Sequence, residues 1–315
     1  MEADEYFATT SPPNNLHEVA LRTKEFVAHS RSLNRRVVLV SSGGTTVPLE
    51  NNTVRFLDNF SAGTRGATSA EHFIEAGYAV IFLHRQFSLE PYTRHYTHAK
   101  NCFLDFLAAM PDGSLRVVDH HQTEITCMLS KYQEANTNRM LLKIDFVTVR
   151  DYLFLLRQIT SEMSLLGCYG MYYLAAAVSD YFIPQSKMFE HKIQSDGGAL
   201  VLSLEQVPKV IKPLVHEWVE HGFIVSFKLE TDEALLIPKS RRALERYGHQ
   251  LVIGNMLQTR KHVVHLIHPT FEETIVLTKK EIEDNVEIEV HIISHLVDLH
   301  DKWISQSTTA ATTTK

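Results

Sequence analysis

Apolar runs, each long enough for one β-strand, alternate with amphipathic helical segments along most of this chain. Runs that are apolar at successive positions are typical of strands buried on both faces, as in a parallel sheet covered by helices. The alternation therefore predicts an α/β fold with a doubly wound, mostly parallel, Rossmann-like sheet and helices on both faces. The predicted strands span residues 36–41, 78–83, 171–178, 223–227 and 250–254, and a hairpin spans residues 262–268 and 274–278.

The same pattern divides the chain into segments. We expect a single domain over residues 16–304, interrupted at about residues 94–150, which are richer in His, Asn and Thr and weakly periodic. We interpret this interruption as a small inserted dimerisation segment. Residues 1–15 and the low-complexity residues 305–315 are predicted to be disordered. The predicted helices span residues 17–32, 68–76, 151–166, 209–221, 232–247 and 286–304.

Charge and cysteine content limit the partners of this chain. Its 31 basic and 37 acidic side chains give a net charge of −6, so we expect no binding to nucleic acid or membrane, and any phosphate must be bound locally. The three cysteines form no close pair, which favours a reducing compartment. Residues 1–16 resemble neither a secretory signal nor a transit peptide. We therefore expect a cytoplasmic protein.

A glycine pair follows the first predicted strand, in Ser41-Ser42-Gly43-Gly44-Thr45-Thr46. Paired glycines let backbone N–H groups approach an anion closely, and hydroxyls add donors. The pattern is neither GxGxxG nor a Walker motif, so a tight turn without a ligand is the alternative. We predict that Gly43 and Gly44 bind a nucleotide.

About 25 residues separate this strand from the next predicted helix, against roughly 2–6 in an ordinary α/β unit. The excursion holds small polar side chains, glycines and two arginines close to the predicted start of the helix. Together they describe an anion cradle at the positive end of a helix dipole, and a capped, solvated loop is the alternative. The residues of this predicted cradle are Arg55, Asn59, Ser61, Gly63, Arg65 and Gly66.

Further polar or small residues follow the later strands, where a doubly wound sheet binds its ligands. Ala175 to Asp180 offer close approach and one acceptor, although strand packing or helix capping explains them equally well. Lys192 lies on a glycine-flanked loop and could neutralise a phosphate, although most lysines are only solvated. Phe227 could pack on a base or in the core, and Asn255 could hydrogen-bond the base edge or a ribose.

The set of motifs resembles phosphopantothenoylcysteine synthetase, the phosphopantothenate–cysteine ligase of coenzyme A synthesis, in its stand-alone eukaryotic form. The resemblance covers about residues 35–300 in the right order. It implies that the carboxylate of 4′-phosphopantothenate attacks the α-phosphate of a nucleoside triphosphate and that pyrophosphate leaves. The amine of L-cysteine then attacks the acyl-nucleotidylate, so no protein nucleophile is needed. The motifs are Gly43-Gly44-Thr45, Pro48-Leu49-Glu50, Val54 to Gly63, Ala175 to Asp180, His191 to Ser195 and Phe227 to Thr231.

The resemblance also implies roles for individual residues. Asn59 matches the asparagine that holds the acyl intermediate, and Lys192 matches the lysine that supports its formation. Positions that contact the pantothenate arm across a dimer interface are matched by Ala176, Ala177 and Asp180. The matched nucleotide-site positions are Gly43, Ser61, Gly63, Gly66, Phe227 and Asn255.

The resemblance implies Mg²⁺ with the triphosphate, a homodimer, and the small-molecule substrates 4′-phosphopantothenate, L-cysteine and ATP. Bacterial members use CTP, whereas the eukaryotic type is associated with ATP, which we expect here. Ala62 replaces a serine of bacterial members, and Gln194 and Ser195 replace lysines, so the nucleotide choice stays open. We expect no flavin, because the chain has no room for the flavin-dependent decarboxylase that is fused in many bacteria.

We expect no zinc site, since His262, His265 and His268 cannot all share one face of a strand. Two alternatives to the ligase are a nicotinamide-dependent oxidoreductase and a catalytically silent nucleotide-binding protein. The oxidoreductase lacks support because no GxGxxG opens the first helix and the second strand ends in Leu83-His84-Arg85, without an acidic residue for a ribose.

Overall fold

One large sheet organises the part of the chain that the computed structural model describes, residues 2–97, 103–194 and 198–313. The helices are α1 (Ala3–Thr9), α2 (Leu16–Ser32), α3 (Thr64–Glu75), α4 (Asp119–Thr137), α5 (Val149–Met163), α6 (Ile211–Pro213), α7 (Glu233–Tyr247), α8 (Lys279–Glu283) and α9 (Glu289–Thr313). The strands are β1 (Val37–Ser42), β2 (Thr46–Pro48), β3 (Phe56–Asp58), β4 (Ala79–Arg85), β5 (Leu107–Ala109), β6 (Leu115–Val117), β7 (Leu141–Phe146), β8 (Gly170–Leu174), β9 (Tyr181–Phe182), β10 (Glu205–Gln206), β11 (Phe223–Glu230), β12 (Leu251–Met256), β13 (Val263–Ile267) and β14 (Glu272–Val276).

The strand order of the main sheet is β14-β13-β12-β11-β8-β1-β4-β7. The strands from β12 to β7 pair in parallel, and β13 and β14 add an antiparallel hairpin at one edge. Numbered along the chain, the parallel strands follow the order 3-2-1-4-5-6, which reverses between β1 and β8. The prediction of a doubly wound, mostly parallel sheet is confirmed.

Both faces of the sheet are buried, as the continuous apolar strands require. On β1, Val37 and Leu39 belong to a core with residues of α2 and α5, whereas Val38 and Val40 belong to a core with residues of α3 and α9. Successive side chains of a strand point to opposite faces, so a strand between two helical layers must be apolar at every position.

The region predicted as an insertion contributes to the main sheet. Strand β7, over Leu141–Phe146, pairs with β4 and forms the edge opposite the hairpin. The sequence hid this strand because an edge strand is only partly buried and tolerates Lys143 and Asp145 between its apolar residues. Helix α4 is mostly exposed, and residues 98–102 lie outside the described part. The dimerisation role of the region stays a prediction.

Both ends contain helix where the sequence predicted disorder: α1 covers Ala3–Thr9, and α9 runs through residues 305–313. In α1, Tyr6 is buried and packs edge-on against Phe182 at 5.5 Å between ring centroids. Helix α9 continues to Thr313, because adding turns to an existing helix avoids the cost of nucleation. The helix predicted over residues 209–221 is shorter: α6 passes at Pro213 into a π-helical turn over Leu214–Trp218.

Candidate functional site

A cleft of about 1170 Å³ opens at the carboxyl ends of the parallel strands, beside the reversal of strand order. Its walls come from the loop between β3 and α3, the segment after β8, and the ends of β11 and β12, together with α7. This is where a doubly wound sheet has room for a ligand, since the connections on the two sides of the reversal leave in opposite directions.

The backbone of Gly44 packs directly against Asn59. A Cβ atom on Gly44 would lie 1.6 Å from the Asn59 carbonyl oxygen, and the Asn59 N–H donates to the Thr45 carbonyl at 3.2 Å. Gly44 also forms a parallel bridge with Ala177. The glycine pair therefore joins the Asn59 loop to the segment after β8. Neither Gly43 nor Gly44 lines the cleft, and their predicted nucleotide contact stays a prediction.

Asn59, Ser61 and Gly63 line the cleft where α3 begins. Gly63 is the N-cap of α3 with φ +83°, a left-handed conformation that favours glycine. A Cβ atom on Gly66 would lie 2.3 Å from the Ser42 hydroxyl, so this glycine lets α3 approach β1. The N-terminus of the helix thus forms part of the cleft wall, and its first N–H groups have no partner within the helix, which suits an anion site.

Two hydrogen bonds from backbone N–H groups hold the segment after β8 against the end of β1 and the turn that follows it. The Ala177 N–H donates to the Gly43 carbonyl at 2.8 Å, and the Ala176 N–H donates to the Ser41 hydroxyl at 3.2 Å. Asp180 is exposed at the cleft and forms an ion pair with Lys209 at 2.6 Å. The structure therefore brings the three predicted pantothenate-arm residues, Ala176, Ala177 and Asp180, to the same cleft as Asn59.

Phe227 and Asn255 lie on neighbouring strands and both line the cleft. Phe227 packs edge-on against Tyr173, with 4.8 Å between ring centroids. Asn255 is buried, and within the described residues its Oδ1 has no hydrogen-bond partner. Its Nδ2 makes only long contacts of 3.4 and 3.5 Å with backbone carbonyls. An unsatisfied buried amide beside an aromatic ring is suited to hydrogen-bond a ligand.

Two predicted residues, Lys192 and Arg55, lie outside the cleft wall. The Lys192 side chain is exposed. Arg55 donates to the buried Glu50 carboxylate at 3.2 Å and to the Ile193 carbonyl at 3.0 Å. Arg55 is thus a link between two loops rather than a free anion fork. Ser195, from the same motif as Lys192, lies outside the described residues.

Arg65, the second arginine of the predicted cradle, lines the cleft but is already paired. Its guanidinium donates to Glu289 at 2.9 Å and to the Arg260 carbonyl. Burial raises the pKa of Glu289, against the lowering effect of Arg65. A ligand anion at this rim must therefore compete with Glu289 for Arg65.

Sequence reasoning missed the basic character of the cleft. Among its described lining residues, eight are Lys or Arg and three are Asp or Glu, although the whole chain is acidic. The spacing i, i+3, i+7 of Lys239, Arg242 and Arg246 places these on one face of α7 and was a readable signal. The basic lining residues are Arg65, Lys209, Lys228, Lys239, Arg242, Arg246, Arg260 and Lys261, and the acidic ones are Asp180, Glu287 and Glu289.

A doubly wound sheet with a basic cleft and a helix N-terminus at its strand-order reversal defines an α/β protein that binds phosphorylated small molecules. Residues 138–292 match the family described as DNA/pantothenate metabolism flavoprotein C-terminal domain. The chain is 43% identical to the phosphopantothenate–cysteine ligase of Saccharomyces cerevisiae, over 99% of this chain and 89% of that protein. It is 45% identical to the phosphopantothenate–cysteine ligase of Homo sapiens, over 89% of this chain and 91% of that protein.

The chain therefore belongs to the phosphopantothenate–cysteine ligase family, whose members act in coenzyme A biosynthesis, and the resemblance found in the sequence is confirmed. A solved structure of a Cab2 mutant in complex with phosphopantothenate-cysteine superposes with a TM-score of 0.91 and 43% identity. The match covers 97% of this chain and 99% of that one. Among the helices of the described residues, none has the length and apolarity needed to cross a bilayer.

Proposed function

We propose that this chain joins 4′-phosphopantothenate to L-cysteine and consumes a nucleoside triphosphate. The observation that carries this function is the placing of Asn59 and the start of α3 in a basic cleft. The family membership favours a ligase over the oxidoreductase and over the silent binding protein. The phosphates of 4′-phosphopantothenate and of the nucleoside triphosphate account for the excess of positive charge in the cleft of an otherwise acidic chain.

In the first step the substrate carboxylate attacks the α-phosphate, a P–O bond forms, and pyrophosphate leaves with the electrons of the broken bond. The cysteine amine then attacks the acyl carbon and releases the nucleoside monophosphate. Asn59 offers an amide donor to the acyl-nucleotidylate, and the first N–H groups of α3 together with the basic face of α7 offset the phosphate charge. These groups position and stabilise charge, so a protein nucleophile is unnecessary.

Mg²⁺ enters this proposal as part of the triphosphate substrate. Within residues 2–97, 103–194 and 198–313, no group of three or more His, Cys, Asp or Glu side chains is suited to hold a metal ion. Mg²⁺ commonly keeps its waters and binds through substrate phosphates, which suits such a cleft. We expect EDTA to abolish pyrophosphate release and to leave the melting temperature of the free protein unchanged.

We expect ATP rather than CTP as the nucleotide. Phe227 offers a ring face, and the Asn255 amide can both donate and accept a hydrogen bond. Adenine and cytosine both present donors and acceptors at their edges, so these two residues suit either base. The preference rests on the eukaryotic relatives, and pyrophosphate release with each nucleotide measures it.

A homodimer is supported by large apolar side chains that are exposed in and beside the β2–β3 hairpin, namely Val54, Phe56, Leu57 and Phe189. Exposed apolar clusters of this kind mark interaction surfaces. A dimer that covers these side chains would place the substrate site near the interface. The Phe56→Asp variant should run as a monomer in sedimentation velocity and lose activity, whereas Leu21→Asp, an exposed change on α2, should alter neither.

The central test is pyrophosphate release with phosphopantothenate and cysteine, run with ATP and CTP in turn. The wild type should release pyrophosphate only when phosphopantothenate is present, and faster with ATP. Asn59→Asp and Lys192→Ala should be slower by about 100-fold or more, whereas the remote, exposed Glu25→Gln should match the wild type. A wild type that makes no pyrophosphate with either nucleotide would favour the silent binding protein.

A further inference from the structure

Glu50 is a buried carboxylate without an assigned role. Its side chain is fully buried, and it accepts four hydrogen bonds. One oxygen accepts from the N–H groups of Val54 and Arg55, at 3.1 and 2.9 Å. The other accepts from the Arg55 guanidinium at 3.2 Å and from the Ile193 N–H at 3.3 Å. These donors use the whole acceptor capacity of a carboxylate, and they lower the pKa of Glu50, with the Arg55 N–H as the main cause.

The four donors belong to two loops that are distant in sequence. Val54 and Arg55 lead into β3 and so to Asn59, whereas Ile193 follows Lys192 directly. The Arg55 guanidinium closes the link from the other side, because it also donates to the Ile193 carbonyl at 3.0 Å. Both polar groups of the Ile193 backbone are therefore fixed by the Glu50–Arg55 pair.

The start of the second loop is attached separately. The Asn51 N–H donates to the Phe189 carbonyl at 2.8 Å, and the Asn52 N–H donates to the Glu190 carbonyl at 3.1 Å. Beyond these bonds, residues 191–194 have no helix or strand of their own. The position of Lys192 consequently depends on Glu50 and Arg55 more than on regular secondary structure.

We propose that Glu50 and Arg55 are positioning residues that hold the Lys192 loop against the hairpin leading to Asn59, so that the two loops act as one unit during acyl-nucleotidylate formation. This inference rests on the proposed function, in which Lys192 supports that step. It explains why a carboxylate is buried here at all, since an isolated buried charge is costly and a fully bonded one orders the segments around it.

The test uses Glu50→Gln, which keeps the shape but turns one oxygen into an NH₂ group that faces N–H donors. Single-turnover pyrophosphate release without cysteine should slow by about 10- to 100-fold, with the KM for ATP within about twofold of wild type. In the Lys192→Ala background the same change should have no further effect. Additive losses in the double variant, or an unchanged rate in Glu50→Gln, would overturn the proposal. The exposed Glu25→Gln serves as the control.

A second measurement does not need turnover. Hydrogen exchange should speed up about tenfold or more at the Ile193 amide in Glu50→Gln, and stay unchanged at the Asn51 and Asn52 amides, which are bonded elsewhere. If the wild type makes no pyrophosphate but Ile193 responds, the proposed function fails and the structural link stands. An unchanged Ile193 amide in a folded variant contradicts the link itself.

Discussion

At the scale of single residues, the backbone of Gly44 and the backbone of Asn59 limit each other's position through close packing. Gly44 carries the clearest constraint, since its Cβ position is occupied by the Asn59 carbonyl. Close approach of two backbone segments is a use of glycine that a sequence motif does not distinguish from phosphate binding. The prediction of a functional turn at Gly43 and Gly44 thus acquires a second explanation, in which these glycines shape the Asn59 loop.

We expect Gly44→Ala to displace Asn59. The methyl group overlaps a backbone oxygen that cannot rotate away, so the free energy of unfolding should fall by about 1–3 kcal/mol and kcat by about 100-fold. Urea denaturation and pyrophosphate release measure the two effects. Gly77→Ala is the matched control, because Gly77 has φ +83° and open space around it. It should lose about 1–2 kcal/mol of stability and keep its kcat. Equal loss of kcat in both variants would contradict the displacement.

At the scale of elements, an ion pair adds to the backbone hydrogen bonds that hold the β2–β3 hairpin against the main sheet. Arg85 at the end of β4 contacts Asp58 at the end of β3 at 2.6 Å, and Asp58 immediately precedes Asn59. The pair is partly exposed, so its energy is modest, and it contacts the hairpin at the residue that precedes Asn59.

We expect Arg85→Met to affect activity more than stability. The free energy of unfolding should change by at most about 1 kcal/mol, while kcat/KM should fall about tenfold, because the Asn59 loop loses one anchor. Steady-state kinetics measure kcat/KM, and urea denaturation measures the free energy of unfolding. Arg22→Met removes the exposed ion pair between Arg22 and Glu18 on α2 and should leave kcat/KM unchanged. A large loss of stability with unchanged kcat/KM would assign Arg85 to folding alone.

Helix α9 is attached to the sheet through a neutral, buried histidine. His300 is hydrogen-bonded to the Tyr78 hydroxyl at 2.9 Å and to the Cys168 carbonyl at 2.9 Å. Burial lowers the pKa of His300 to about 4. In the unfolded chain the pKa of histidine is about 6.5, so the unfolded state takes up the proton first as the pH falls. The stabilisation by neutral His300 is therefore complete above about pH 6.5 and is lost progressively toward pH 4.

We expect the free energy of unfolding to fall between pH 6.5 and pH 4, with His300 contributing roughly 3 kcal/mol of that fall. Urea denaturation at pH 7, 5.5 and 4.5 measures it. The His300→Gln variant should be less stable at pH 7 and should depend less on pH in this range. His249 should retain its own part of the slope, since burial also lowers its pKa to about 4. An identical slope in wild type and variant would show that folding does not lower the pKa of His300.

At the scale of the whole molecule, charge is separated between the cleft and the rest of the surface. The chain carries a net charge of −6, whereas Lys and Arg outnumber Asp and Glu in the cleft by eight to three among the described lining residues. A basic concavity in an acidic protein concentrates anionic substrates locally and does so less at high salt.

We expect salt to weaken substrate binding more than turnover. Raising NaCl from about 0.05 to about 0.5 M should increase the KM values of ATP and phosphopantothenate several-fold, because the Debye length falls from about 14 to about 4 Å. The KM of cysteine, which has no net charge at neutral pH, should change less and serves as the internal control. Equal changes in all three KM values would indicate a general effect on the protein.

The sequence alone determined the sheet and the family. Strands with apolar residues at several successive positions have no stable place other than between two helical layers, so β1, β4, β8, β11 and β12 were predictable, as was the long excursion before α3. The edge strand β7 and the helices at both ends escaped because partly buried segments carry a mixed pattern.

Only the tertiary structure decided how the candidate site is connected. The sequence offered Arg55 and Lys192 as anion-binding groups, whereas folding pairs Arg55 with Glu50 and holds the Lys192 loop outside the cleft wall. Folding also orients one face of α7 toward the cleft, where Lys239 and Arg242 add positive charge. The physical reason is that the Glu50–Arg55 pair binds Ile193, more than a hundred residues away in sequence, and the path of an irregular loop depends on its partners.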